Sequence, residues 1–176
     1  MVWLRHNGAR RLLCLMFVLS VGAEASASSL NTRLRPVAEN PVALDFALED
    51  RFGEVYRLSQ LRGQVVVVNF WATWCGPCLA ELPTMQTLWE LFSDGPIEFL
   101  AINVGEELSA IDQFLSGFDP PLGFRILIDS NMQVVSDWKV RGVPTTYVVD
   151  QQGHLAEFAE GGMDFTNDFV VGRIRR

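Results

Sequence analysis

Between Val65 and Trp71 the chain runs Val-Val-Val-Val-Asn-Phe-Trp, β-branched and aromatic residues without the alternation that leaves one face wet. Such a run predicts a central strand buried on both faces. It leads into Ala72-Thr73-Trp74-Cys75-Gly76-Pro77-Cys78, after which the period changes. From Pro77 to Phe92 the apolar residues Leu79, Leu82, Met85, Leu88, Trp89 and Phe92 recur at three and four, which predicts an amphipathic helix. Pro83 interrupts this helix and is expected to bend it, because its ring removes one backbone hydrogen bond.

The remaining elements follow the same two periods. Leu44, Phe46 and Leu48 alternate with Asp45, Ala47 and Glu49, Arg51-Phe52-Gly53 supplies a turn, and Val55 to Leu58 extends again, so a hairpin is expected ahead of the main sheet. After a turn at Asp94-Gly95-Pro96, Ile97 to Val104 predicts a second buried strand ending near Gly105. Ser109 to Leu115 is expected as a short helix with Ile111, Phe114 and Leu115 inward, closed by Pro120-Pro121. Phe124 to Ile128 predicts a strand, and Asn131 to Trp138 a helix with Met132, Val135 and Trp138 on one face. Thr145 to Val149, a turn at Gln151-Gln152-Gly153 and Leu155 to Ala159 form an antiparallel hairpin, followed by a closing helix from Phe165 to Ile174. The alternation of strands and helices defines an α/β domain without internal repeats.

Charge and composition change this picture at the N-terminus. Arg5, Arg10 and Arg11 precede an apolar run from Leu12 to Ala23, and Ala25-Ser26-Ala27 follows: the three-part pattern of a secretory signal peptide. About twelve apolar residues make roughly 18 Å of helix against a hydrocarbon core of ~30 Å, so a transmembrane span is disfavoured. The expected organisation is a signal peptide over residues 1–27, with an uncleaved anchor as the alternative, a flexible linker over 28–41 and one domain over 42–176. Arg10-Arg11 reads as part of an ordinary secretory signal rather than a twin-arginine one. Setting residues 1–27 aside removes Arg5, Arg10, Arg11 and Glu24 and takes the net charge from −7 to −9. An acidic body argues against a nucleic-acid partner. Cys14 and His6 go with the same segment. Cys75 and Cys78 then remain in a chain bound for a compartment where disulfides form readily.

Two cysteines separated by two residues admit three uses: a structural disulfide, half of a metal site, or a dithiol redox centre. Their place at the start of a helix favours the third. Unpaired backbone N–H groups and the helix dipole stabilise a thiolate there, which makes Cys75 the expected attacking sulfur. Cys78, one turn on and more shielded, suits the resolving role. A structural disulfide closing so few residues stabilises little. Zinc wants two further ligands, and after processing no third cysteine remains and His154 is the only histidine. Copper(I) is content with two thiolates and a third ligand, with His154 and Met163 as candidates, so a copper(I)-binding assembly factor stays open as the alternative. His154 itself, on a Gly-containing turn, reads as a solvated side chain.

Trp71 through Cys78, then Pro83 in the same helix, then Gly142-Val143-Pro144-Thr145 before a late strand resemble the thioredoxin-fold TlpA/ResA class of exported thiol-disulfide oxidoreductases over roughly residues 41 to 176. The resemblance implies a thioredoxin-like fold: a central mixed β-sheet flanked by helices, with an N-terminal hairpin and a central insertion between residues 105 and 140. It implies Cys75, Cys78 and Glu81 as catalytic residues, with Trp74, Gly76, Pro77, Val143 and Pro144 meeting substrate. Val143-Pro144 is expected to be a cis peptide, and Val143 to offer its backbone to an extended substrate segment. Trp71 is assigned to core packing. Where thioredoxin has a buried Asp, this chain has Asn69, which cannot take a proton. Glu81 matches the acidic residue that the class places near its disulfide, and a half-buried carboxylate there is expected to accept the proton when Cys78 attacks. No cofactor or metal is expected beyond the Cys75/Cys78 disulfide. Implied partners are disulfides of exported proteins, such as apocytochrome c or a copper-site assembly protein of cytochrome oxidase, and a membrane electron donor. The expected product is a monomer, periplasmic or secreted in a bacterium, with a membrane tether as an option. A thiol peroxidase is a third, weaker reading.

Overall fold

Buried at every position, the Val65–Trp71 run is the middle of a mixed sheet of six strands. The computed structural model describes Leu30 and residues 33–175. The expected signal peptide over residues 1–27 lies outside them. The strands are Arg35–Pro36 (β1), Ala47–Glu49 (β2), Val55–Arg57 (β3), Val65–Trp71 (β4), Ile97–Val104 (β5), Arg125–Asp129 (β6), Thr145–Val149 (β7) and Leu155–Glu160 (β8). The α-helices are Gly76–Phe92 (α1), Leu108–Leu115 (α2), Gln133–Asp137 (α3) and Asp168–Ile174 (α4).

The main sheet has the order β1-β8-β7-β4-β5-β6, and β2 and β3 form a separate antiparallel hairpin. β4, β5 and β6 run parallel because α1 and α2 carry the chain back between them, whereas β7 and β8 are joined by a tight turn and run antiparallel. Strand alternation divides the residues of β4. Val68 and Phe70 face one side, where Phe70 packs in an aromatic cluster with Trp138 and Tyr147, and Phe46 meets the same Trp138. Asn69 and Trp71 face the other side, where Asn69 reaches α1. The register sets Phe70 of β4 opposite Thr145 of β7, so the Val143-Pro144 segment arrives beside the loop that leaves β4. The sheet thereby brings both motifs to one end.

Most elements lie where the periodicity places them, and the departures have local causes. α3 begins two residues later than expected because Met132 takes a left-handed conformation (φ 58°) and Asn131 Oδ1 accepts the Gln133 N–H at 3.0 Å. α4 begins at Asp168, where Asn167 Oδ1 accepts the Phe169 N–H at 3.0 Å. Phe114 and Val135, expected inward, are half-buried, and Met132 is exposed. α1 continues through Pro83, whose ring sits on the exposed face. No helix among the described residues is long and apolar enough to cross a membrane.

The larger difference is at residues 33–41, expected as a flexible linker. Leu34 is buried, Arg35 and Pro36 pair with Phe158 and Glu157 of β8, and the Val37 N–H reaches Ala156 O at 3.0 Å. The chain is laid along the free edge of β8, satisfying backbone groups that would otherwise face water. Ahead of it, Leu30 lies at the cysteine end of the sheet: a Cβ added at Gly162 would stand 2.8 Å from Leu30 and 3.4 Å from the side chain of Pro77. A docked segment and a free one respond differently to truncation. Leu34→Ala is expected to cost about 2–5 kcal/mol in urea unfolding, as for a buried leucine, against under about 0.5 kcal/mol for a free tether.

Candidate functional site

Cys75 and Cys78 are joined as a disulfide with Cα atoms 5.3 Å apart. Cys75 is the N-cap of α1 in an extended conformation, and its Sγ accepts the Cys78 N–H at 3.3 Å. One of the unpaired donors of the helix start is therefore aimed at the sulfur expected to be the nucleophile. Cys75 retains 5% of its surface and Cys78 none, which gives the two sulfurs different access to a partner. Gly76 and Pro77 are exposed, and Pro77 lies in the first turn, where its missing N–H costs nothing.

The loop before Cys75 is clasped from the next strand. Glu106 accepts the Thr73 N–H at 2.8 Å and the Thr73 hydroxyl at 2.5 Å, and Asn103 Nδ2 donates to the same carboxylate at 2.8 Å. Sequence reasoning missed Glu106. Its only signal was an acidic residue just past the end of a buried strand, and nothing local pairs it with a residue 33 positions earlier.

The Val143-Pro144 peptide is cis, as is Asp119-Pro120 in a distant loop. Pro144 is buried and its carbonyl accepts the Gly161 N–H at 2.8 Å, while Thr145 Oγ1 donates to Gly142 O at 2.7 Å. The backbone N–H and C=O of Val143 make no hydrogen bond among the described residues. Trp74, 71% exposed, forms one wall of a groove of about 270 Å³ whose other walls include Val104, Met132, Val140 and Val143. Trp71, by contrast, is fully buried against Phe114, as expected for core packing.

Glu81 is fully buried rather than half-buried. It lies three residues after Cys78, both side chains turned into the protein from α1. Its Oε1 accepts Asn69 Nδ2 at 2.8 Å and its Oε2 accepts the Met163 N–H at 2.9 Å. Burial pushes its carboxyl up to about 7, against the lowering effect of those two donors. His154 is not part of this arrangement. It bridges to Val42 beyond the end of β7 where Val149 faces Val66, whereas the cysteines follow the opposite end of β4. At ~3.3 Å per residue, that separation is roughly 17 Å. The histidine considered for copper is thus at the wrong end of the sheet, and Met163 contributes its backbone to Glu81.

A disulfide set in the first turn of a helix, at the end of a central parallel strand and beside a cis-proline, defines the class: a thioredoxin-fold thiol–disulfide oxidoreductase. The profile of the AhpC/TSA family matches residues 40–158. The thiol-disulfide oxidoreductase ResA of Geobacillus kaustophilus (strain HTA426) is 39% identical over 132 residues, 75% of each chain. The ResA of Geobacillus thermodenitrificans (strain NG80-2) is 35% identical over 154 residues, 88% of this chain and 87% of that one. The crystal structure of the pneumococcal exposed lipoprotein thioredoxin Etrx1 from Streptococcus pneumoniae TIGR4 superimposes with a TM-score of 0.66 at 28% identity, covering 75% of this chain and 98% of that chain. The chain belongs to the AhpC/TSA family, and both ResA relatives are named thiol–disulfide oxidoreductases.

The Glu81 carboxyl makes stability depend on pH. In the unfolded chain it titrates near 4.5 and in the folded one near 7, so the folded state holds a proton that the unfolded state has lost. This contribution to stability is complete below the unfolded value, falls as pH rises between the two, and is constant above about 7. On the scale of 1.4 kcal/mol per tenfold it amounts to roughly 3 kcal/mol. Denaturant unfolding of the oxidised protein and of Glu81→Gln at pH 5 and pH 8 is expected to show the difference between them shifting by about 2–3 kcal/mol, to the disadvantage of the parent at pH 8.

Proposed function

We propose that this protein reduces disulfides of exported proteins. The observation that carries the reading is the contrast between the two sulfurs: Cys75 at the helix N-terminus with residual exposure, Cys78 enclosed one turn from a buried carboxyl. The Cys75 thiolate attacks one sulfur of a substrate disulfide, the other substrate sulfur leaves as a thiolate, and a mixed disulfide forms. Cys78 then gives its proton to Glu81 and attacks Cys75 Sγ. The Cys75–Cys78 bond forms, the bond from Cys75 to the substrate breaks, and the second substrate sulfur leaves as a thiolate; protons from Glu81 and solvent then make the substrate a dithiol. Val143 receives an extended substrate segment on its free backbone groups, and Pro144, Gly76, Pro77 and Trp74 bound the surface on which it lies.

The direction of reaction rests on Gly76-Pro77 between the cysteines and on the resemblance to the ResA class. From the same resemblance come the substrates, exported proteins with paired cysteines such as apocytochrome c or a copper-site assembly protein of cytochrome oxidase, and a membrane electron donor that restores the dithiol. The Arg-flanked apolar segment of residues 1–27 supports export to a periplasmic or extracellular location, by cleavage or with retention as an anchor.

Cys78→Ser is expected to accumulate a mixed disulfide on Cys75 that identifies the substrate by mass spectrometry, while Cys75→Ser accumulates none. A redox titration is expected to place the Cys75/Cys78 couple near the about −270 mV of thioredoxin; a value near about −120 mV would reverse the assigned direction. Alkylation of Cys78 followed against pH is expected to shift in Glu81→Gln. An unchanged profile removes Glu81 from the mechanism.

A further inference from the structure

Glu81 is enclosed by groups that all present hydrogens to it. Oε1 faces the Asn69 amide nitrogen and Oε2 faces the Met163 N–H. That surrounding fits a carboxylate, which only accepts; an acid has an O–H that must find an acceptor. Met163 N–H is fixed in the backbone and cannot change its sense. Asn69 can, because an amide reversed end for end occupies the same space.

The contacts of Asn69 hold it as a donor to the carboxylate and leave a reversal open when the acid forms. Its Nδ2 donates to Glu81 Oε1 at 2.8 Å and to Thr146 Oγ1 at 3.0 Å, which uses both of its hydrogens. Its Oδ1 is buried and has no partner among the described residues. Turned over, Oδ1 stands where Nδ2 stood and accepts from the O–H of the acid and from the Thr146 hydroxyl, whose own hydrogen is free to rotate, while Nδ2 takes the buried place without a partner, so the reversed amide is favoured only while Glu81 holds its proton. Around the carboxyl, β4 contributes Asn69, β7 contributes Thr146 beside it, and the segment before α4 contributes the Met163 N–H. None of these titrates, and among the described residues no charged side chain bonds to Glu81. The titratable partners are the cysteines of its own helix.

We propose that Asn69 is the positioning residue for the Glu81 proton: its amide donates to the carboxylate and, reversed, accepts from the acid. The inference rests on the role given to Glu81 above. As Cys78 attacks, its proton passes to Glu81 and Asn69 turns to receive the new O–H. When Glu81 returns the proton, to solvent or to the departing substrate thiolate, the amide turns back. No atom or electron is left over, because the proton is the only thing stored. An aspartate in place of Asn69 would lack the donating half of this exchange and set two carboxyl groups against each other.

The test is the titration of the Glu81 side-chain carboxyl by ¹³C NMR in the oxidised full chain. Asn69→Leu takes a bond from both forms, the stronger one from the carboxylate, and is expected to raise the proton affinity of Glu81 about three- to tenfold, the difference between a hydrogen bond to a charged group and one to a neutral group. Asn69→Asp, nearly the same shape, is expected to replace the single transition by two coupled ones, the later above that of the parent. A residue that only fills space would lower the melting temperature and leave the midpoint in place. A Glu81 midpoint within about threefold of the parent in whichever variant folds overturns the proposal, and so does a rise far beyond about tenfold in Asn69→Leu, the mark of a donor that serves the carboxylate alone. The two readings fail separately: a Cys78 alkylation profile unmoved by Glu81→Gln refutes Glu81 as acceptor, whereas an unmoved Glu81 carboxyl refutes Asn69.

Discussion

A carboxyl group held inside a protein, with no cation beside it among the described residues, is the constraint on which the rest of this structure turns. Glu81 has no exposed surface, and two N–H groups from distant parts of the chain serve its oxygens. Asn69 is at the cysteine end of the central strand, and Met163 precedes the last helix. For both to reach Glu81, α1 must lie across β4 at one angle and depth, and the C-terminal segment must close over it. The carboxyl therefore fixes the helix that carries the disulfide. A group that merely needed to be charged would have been placed in water at less cost. One kept near neutrality by burial can hold a proton at the pH where the cysteines exchange theirs.

The opposite flank of the disulfide is fixed by a different means. Glu106 closes on both the backbone and the hydroxyl of Thr73, with Asn103 steadying it from the end of β5. The loop carrying Trp74 and Cys75 is thus tied to a strand rather than left to its own flexibility. The Val143-Pro144 segment comes from a third direction, through the antiparallel pairing of β7 with β4. Three strands meet at one end of the sheet, and each delivers a different part of the site. A preformed surface of this kind loses less conformational freedom when an extended partner is laid on it.

What could be read from the sequence was whatever repeats or adjoins. The apolar run of β4, the three-and-four spacing of α1 and the paired cysteines are local patterns, and the elements follow them closely. Asn69 drew attention only through the resemblance, as the residue standing where thioredoxin has an acid. Its partners Glu81 and Thr146 were not legible. Thr146 lies 77 residues away and Met163 82 residues from Glu81, and no period relates them. The depth of Glu81 was underestimated for the same reason, because what covers it comes from the far end of the chain. β1 escaped notice because two residues have no periodicity, and its partner strand is near the C-terminus. His154 was weighed as a ligand because sequence shows residue types and not which end of a sheet they occupy.

The chain joins the fold beside its own reactive face: Leu30 lies near Pro77, and only then does the backbone run along β8. The pairing of Arg35 and Pro36 with β8 fixes that entry, so a change of the chain at Leu30 is felt beside Pro77, on the face the two sulfurs share, and not at the far end of the sheet, where the turn carrying His154 lies.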